Sequence, residues 1–209
     1  MPLICNSILW TVIGYLSGSL MFSAWLVKLF KSKNISQVDD GNPGASNAFR
    51  AGGAWIGIPA MFLDFIKGAV PVGLAYWLFG VSGWWLVPVT LAPVLGHAFS
   101  IFLRFTGGKA AATTFGVWTG LTLWEGPTSF GLSVLLTMPF IKINLWSVII
   151  ALMLFGAYVI PKAVITNQYH LIAIWLGNFI IIFIKYIPHI KTPVLPRPWL
   201  ERLLCSKNA

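Results

Sequence analysis

Two short polar segments stand out in an otherwise apolar chain of 209 residues. The first is Asp39-Asp40-Gly41-Asn42-Pro43-Gly44-Ala45-Ser46-Asn47-Ala48-Phe49-Arg50. Its glycines let successive backbone N–H groups turn into one concavity that can hold an anion. Asn42, Ser46 and Asn47 add side-chain donors, and Arg50 adds a planar fork suited to phosphate. The plainer alternative is a solvated turn in which Ser46 or Asn47 caps the next helix. The second segment is Gly107-Gly108-Lys109, then Ala110 to Ala112 and the hydroxyls of Thr113 and Thr114. A glycine pair ahead of a helix, with a lysine, is a way for a helix N-terminus to grip phosphate. The nucleotide P-loop pattern is absent. Here the plainer alternative is a turn whose lysine only follows the charge asymmetry of the chain.

Other polar residues lie inside apolar runs. His97 follows Gly96 within the third run, where a lone histidine is usually a structural hydrogen-bonder. Asp64 and Lys67 are three residues apart and share a helix face. Asp64 lies about 14 Å along its helix from Trp55. Charges at that depth are costly in a bilayer, so both must face the protein interior, as a structural pair or a catalytic one. Lys142 and Asn144 begin a further loop, and Tyr186 and His189 close the last apolar run.

The elements that carry these residues follow from composition. Apolar residues make up 57% of the chain and charged residues 9%, against about 25% charged in soluble domains. A soluble globule and a disordered chain are both excluded. The fold class is all-α: a polytopic integral membrane helix bundle of about seven transmembrane helices. A hydrocarbon core of ~30 Å takes about 20 helical residues. The runs are Ser7 to Phe30, Trp55 to Phe79 (interrupted by Pro59 and Pro71), Trp84 to Phe105, Leu145 to Ile160 and Leu171 to Ile187. Ala110 to Leu123 and Pro127 to Phe140 are each short and form a tight pair around Glu125, Gly126 and Pro127. If that pair does not cross, five spans remain.

The chain holds 14 Lys and Arg against 5 Asp and Glu. On a soluble protein this excess would point to nucleic acid. Here the basic residues lie between apolar spans and report orientation, so no nucleic-acid partner is expected. With the N-terminus outside, Lys28, Lys31, Lys33, Arg50, Arg104, Lys109, Lys142, Lys185, Lys191, Arg197, Arg202 and Lys207 all fall on the cytoplasmic side. Residues 1–190 form the membrane domain and 191–209 a short cytoplasmic tail. Clustered metal ligands are lacking, so no metal and no cofactor are implied. Oligomeric state is open, a monomer being the simplest.

Taken together, the motifs resemble the acyl-phosphate:glycerol-3-phosphate acyltransferase (PlsY) family. The resemblance runs through Gly18-Ser19-Leu20, the loop from Gly41 to Arg50, Leu63-Asp64-Phe65-Ile66-Lys67-Gly68, Gly96-His97-Ala98-Phe99, Phe102-Leu103-Arg104-Phe105 and Gly107-Gly108-Lys109. It covers residues 14 to 120, over half of the chain. It implies a multi-pass protein of a bacterial inner membrane with a cytoplasm-facing site. The implied reaction moves a fatty acyl group from acyl phosphate to the 1-hydroxyl of glycerol 3-phosphate, giving lysophosphatidate and phosphate. Membrane lipids would surround the site. By resemblance, Gly41, Asn42, Ser46, Asn47 and Arg50 lie in a substrate loop. Gly107, Gly108, Lys109 and Thr113 form a phosphate loop, Lys67 joins the binding set and His97 supports the site. There are departures. Asp40 stands where the family has Ser, and Ala110 where it has Gly. The Ser-Leu-rich motif is not visible around Lys142 to Ser147. Lys185 to His189 differs from the family's basic-His-basic-x-Asn run. Asp40 is therefore expected as general base, with His189 compensating, and His97 and Lys109 as its catalytic partners. The other function class is a non-catalytic or transport-type membrane protein binding phosphate-bearing lipids or anions, favoured by the altered motifs and the proline-interrupted second span.

Overall fold

The computed structural model describes residues 3–141, 144–189 and 197–199. Expectations placed on Lys142, on the His189 side chain and on most of the 191–209 tail lie outside the described residues. The first apolar run is two helices, α1 (Leu3–Ser19) and α2 (Phe22–Lys31), rather than the single helix expected. The break at Leu20 and Met21 has an identifiable cause. The Lys67 ammonium donates to the Leu20 carbonyl at 2.5 Å, and the Ser100 hydroxyl donates to the Ser19 carbonyl at 2.6 Å. Carbonyls taken by outside donors have no need of the next helical turn.

A short helix, α3 (Ala45–Gly52), leads into α4 (Ala54–Gly73), which runs on through a wide turn at Leu74–Leu78. The prolines do not interrupt α4 as expected. Pro71 has no N–H to offer the carbonyl of Lys67 four residues earlier. The Ser17 hydroxyl of α1 donates to that carbonyl instead, at 2.9 Å, so the helix continues.

The remaining helices are α5 (Leu86–Ala98), α6 (Ala111–Thr122), α7 (Glu125–Thr137), α8 (Asn144–Ile165) and α9 (His170–Tyr186). The expected short pair is α6 and α7, of 12 and 13 residues. At 1.5 Å per residue these are about 18–20 Å long, well under a bilayer core. Four segments are long and apolar enough to cross a membrane among the described residues: Leu3–Lys31, Ala54–Leu78, Gly83–Leu103 and Trp146–Ile165. The helix at His170–Tyr186 is apolar but shorter.

Two small-residue seams fix the helices that carry the polar loops. Lipid tails supply no hydrophobic drive between helices, so close backbone approach does the packing. Along α1 and α5, a Cβ on Gly18 would lie 2.1 Å from the Pro93 carbonyl oxygen, and one on Gly96 would lie 2.2 Å from that of Tyr15. Along the parallel pair α4 and α6, a Cβ on Gly116 would lie 1.9 Å from the Phe65 oxygen and one on Gly120 2.5 Å from the Ala69 oxygen. Aromatic contacts join α6, α7 and α8, with Phe115 stacked on Phe130 at 4.3 Å and Trp118 edge-on to Phe155 at 4.8 Å. At the end of the bundle where α6 turns into α7, Glu125 pairs with Lys162 and accepts from the Tyr158 hydroxyl at 2.9 Å. The polar loops lie at the other end.

Candidate functional site

The first polar loop is held together from within by Asn47, which is buried. Its Nδ2 lies 2.8 Å from the Val38 oxygen, 2.9 Å from Asp40 Oδ1 and 3.0 Å from the Asn42 oxygen. With two hydrogens for three acceptors, it pins the loop rather than reaching for a ligand. Its own oxygen accepts from Arg50 at 2.9 Å. The cap of α3 is Gly44, with no side-chain capping bond, so neither Ser46 nor Asn47 serves as the expected cap. Gly41 takes φ +71°, a conformation glycine adopts freely, and Asp39 takes φ +49°.

Lys109 of the second loop closes onto the first. Its Nζ lies 2.6 Å from Asp40 Oδ2, with the two side chains 24% and 23% exposed, and 5.1 Å from the Tyr186 ring centre. Asp40 also accepts from the Asn42 amide at 3.1 Å. Partial burial pulls the Asp40 carboxyl up. The bonds from Lys109, the Asn42 amide and Asn47, with the lysine charge, outweigh that and lower it to about 2. A carboxylate so weakly basic and so fully engaged is a poor proton acceptor at neutral pH. The structure thus places Asp40 as a strap between the loops.

Glycines 107 and 108 are needed for clearance. A Cβ on Gly107 would lie 2.2 Å from the His97 carbonyl oxygen, and one on Gly108 would lie 2.0 Å from His97 Nε2. The Gly108 amide donates to the His97 carbonyl at 2.9 Å. The loop is therefore seated on the end of α5, and its lysine projects from a fixed base. The glycine pair thus meets a steric requirement at the end of α5. His97 itself is buried, with Nδ1 3.7 Å from Asp64 Oδ1.

Beneath the loops, Asp64 pairs with Lys67 at 2.7 Å and accepts from the Ser23 hydroxyl at 3.1 Å. Both charges are buried, which is tolerable only because they are matched. Lys67 donates to Asp64 and to the Leu20 carbonyl and is not among the residues that line the cavity. Thr113 likewise faces α4, its Cγ2 and carbonyl beside Gly68, and does not line the cavity.

A cavity of about 320 Å³ opens between the loops. Asn42, Ser46, His97, Lys109, Asp64 and Tyr186 give its polar wall. The first turns of α3 and α6, at Ala45 and at Ala111 and Ala112, border it. Helix N-termini carry free N–H groups and a positive dipole end, so both favour an anion here. Met61, Ala112 and Phe115 are shared with an adjoining groove of about 480 Å³, completed by Ile58, Phe62 and Phe65. Phe62 and Ile58 are exposed, so this groove faces the apolar surroundings. The sequence reading missed these apolar walls, which carry no motif. It noted Asp64 and Tyr186 without placing them at the site. No group of three or more candidate metal ligands occurs among the described residues.

Comparison with known proteins follows the same line. The family described as Glycerol-3-phosphate acyltransferase matches residues 8–194. "Glycerol-3-phosphate acyltransferase 1" of Thermotoga maritima is 47% identical over 117 residues, which cover 55% of this chain and 57% of that protein. The Thermus thermophilus protein named glycerol-3-phosphate acyltransferase is 39% identical over 138 residues, 64% of this chain and 67% of that one. Across the first relatives, the matched stretch spans between 55% and 67% of their length. The crystal structure of PlsY (YgiH), an integral membrane glycerol 3-phosphate acyltransferase, in its glycerol 3-phosphate form, superposes with a TM-score of 0.82 at 27% identity. That match covers 94% of this chain and 98% of that one. Its lysophosphatidic acid form gives 0.76, also at 27% identity, over 88% of this chain and 89% of that one.

Proposed function

Because this chain belongs to the glycerol-3-phosphate acyltransferase family, we propose that it transfers a fatty acyl group from acyl phosphate to the 1-hydroxyl of glycerol 3-phosphate. The observation that carries this reading is the 2.6 Å contact between Lys109 and Asp40. It joins the two polar loops on one face, beside an apolar groove. Both substrates bring a phosphate, and the donor also brings a long chain.

In this reading the acyl chain lies in the groove between α4 and α6. The phosphates meet Lys109, Arg50, Ser46, Asn42 and the first turns of α3 and α6. Asn47 and Gly41 shape the first loop, and Gly107 and Gly108 seat the second. His97, lodged between Asp64 and Gly108, fixes the wall against which the reacting hydroxyl is aligned. The hydroxyl oxygen bonds to the acyl carbon as the acyl–phosphate bond breaks. The hydroxyl proton ends on the departing phosphate, so lysophosphatidate and inorganic phosphate leave. Acyl phosphate is already activated, so positioning and stabilisation of developing charge suffice, with no covalent enzyme intermediate. The protein acts in a bacterial inner membrane with seven crossings, two of them the short α6 and α7 packed within the bundle, residues 1–190 as the membrane domain and 191–209 as a cytoplasmic tail. The loop-bearing end faces the cytoplasm, as the weight of lysine and arginine there supports.

Purified protein in lipid nanodiscs, given acyl phosphate and glycerol 3-phosphate, should release phosphate and form lysophosphatidate in equal amounts. Phosphate without lipid product would mean another acceptor. Neither product from folded protein would leave only the binding or transport class. For orientation, Gln37→Cys with Cys5 and Cys205 changed to Ser should react with an impermeant thiol reagent only in inside-out vesicles. Labelling from the periplasmic face would overturn it.

A further inference from the structure

The two adjacent aspartates of the first loop hold Lys109, the cation that lines the cavity, and Arg50, which lies outside the lining. Asp40 holds Lys109 at 2.6 Å, and Asp39 holds Arg50 at 3.0 Å. The donors on Asp40 form a complete anion cradle: Lys109 Nζ and Asn47 Nδ2 from side chains, and the Asn42 amide from backbone. The backbone is bent to achieve this, since Asp39 sits at φ +49° and Gly41 at φ +71°. The Asp40 arm is the stronger. Its partners are about a quarter exposed, whereas Arg50 and Asp39 are 48% and 51% exposed and their pair is largely screened.

We infer that Asp40, with Asp39 beside it, is an internal counter-anion that a ligand's phosphate must displace before it is seated, so that these carboxylates set how tightly the site holds any anion. The inference rests on the acyl-transfer reading of the same site. A phosphate that takes the cradle must first break the carboxylate's bonds to Lys109, Asn47 and the Asn42 amide, and that cost is the same for every ligand. The freed carboxylate then repels what replaces it. A phosphomonoester carries about −1.5 to −2 at neutral pH and so has the charge to compete with a single carboxylate for these donors.

The test is equilibrium binding, which needs no turnover. Radiolabelled glycerol 3-phosphate is bound to the full protein in phosphatidylcholine nanodiscs, alone and in competition with inorganic phosphate. Asp40→Asn should bind both about tenfold more tightly than wild type. Asp40→Glu, which keeps the charge, should stay near wild type. Asp39→Asn should shift in the same direction by a smaller factor, and it leaves the Lys109 contact in place should Asp40→Asn fail to fold. Unchanged or weakened binding of glycerol 3-phosphate in both Asn variants would overturn the inference, because it would make the aspartates necessary architecture only. Absence of acyl transfer together with the expected gain in affinity would refute the reaction and leave the counter-anion standing.

Discussion

Replacing Gly107 by alanine puts a methyl carbon 2.2 Å from the His97 carbonyl oxygen and 2.7 Å from that of Ala98. A carbon and an oxygen without a bond settle at about 3.3 Å or more, so the deficit at His97 is roughly 1 Å. Neither obstacle is a flexible side-chain tip; both are backbone at the end of α5. That helix cannot retreat, since Gly96 and Pro93 are already against α1. The loop must lift instead. The 2.9 Å bond from the Gly108 amide to His97 is then lost, and Lys109 moves by about the same distance. A displacement of ~1 Å in a positioning group costs about 100-fold in rate, and overpacking of this kind costs about 1–3 kcal/mol of stability. Initial rates of lysophosphatidate formation in nanodiscs, with melting curves alongside, read both. Gly80→Ala is the control. Gly80, unlike Gly107, has a positive φ of +67°, and its added carbon meets nothing within 4 Å, so only backbone strain of about 1–2 kcal/mol is expected, with kcat/KM unchanged. If Gly107→Ala retains wild-type kcat/KM, the idea that α5 fixes the lysine loop is wrong.

Three other outcomes are expected. Lys109→Ala should lower kcat/KM by about 100-fold or more while barely moving the melting temperature, because a partly exposed pair is worth only ~0.2–1 kcal/mol; wild-type rates would remove the loop from the mechanism. Gly116→Ala should force α4 from α6, its added carbon lying 1.9 Å from the Phe65 oxygen, and destabilise by about 1–3 kcal/mol in a reversible denaturation assay; unaltered stability would mean that the seam yields. Asp40 has a folded value of about 2 against an ordinary 3.8, so its stabilising contribution is complete above the ordinary value and is lost as pH falls through the folded one. Its carboxyl carbon resonance should be flat between about pH 5 and 8, and an inflection in that range would show that Lys109 and Asn47 do not hold it.

The sequence made some of this visible and hid the rest for physical reasons. Apolar runs located the helices, and the short pair at α6 and α7 followed from length alone. The first loop could be read as a donor-rich turn because its residue types are polar and small. The break at Leu20 could not, since the run there is apolar without proline and the cause lies 47 residues away, at Lys67. Pro59 and Pro71 suggested an interruption that α4 does not have, because Ser17 of another helix satisfies the freed carbonyl. Gly107 and Gly108 look alike whether they cradle phosphate or make room for His97, and only the neighbouring backbone distinguishes the two. Asp40 reads in sequence as a lone carboxylate, because sequence does not show the three donors on it.

The split first span also bears on how the chain enters the lipid. Leu20 gives its carbonyl to an ammonium carried by a helix synthesised later, and Ser17 waits for the same helix. Until α4 arrives, no donor draws that carbonyl out of the helical ladder, and the first run can cross the lipid as one continuous helix. Lys67 and Asp64 are costly in hydrocarbon until they pair. The break in the first span is thus a product of its docking with the second, which gives the buried ammonium an acceptor.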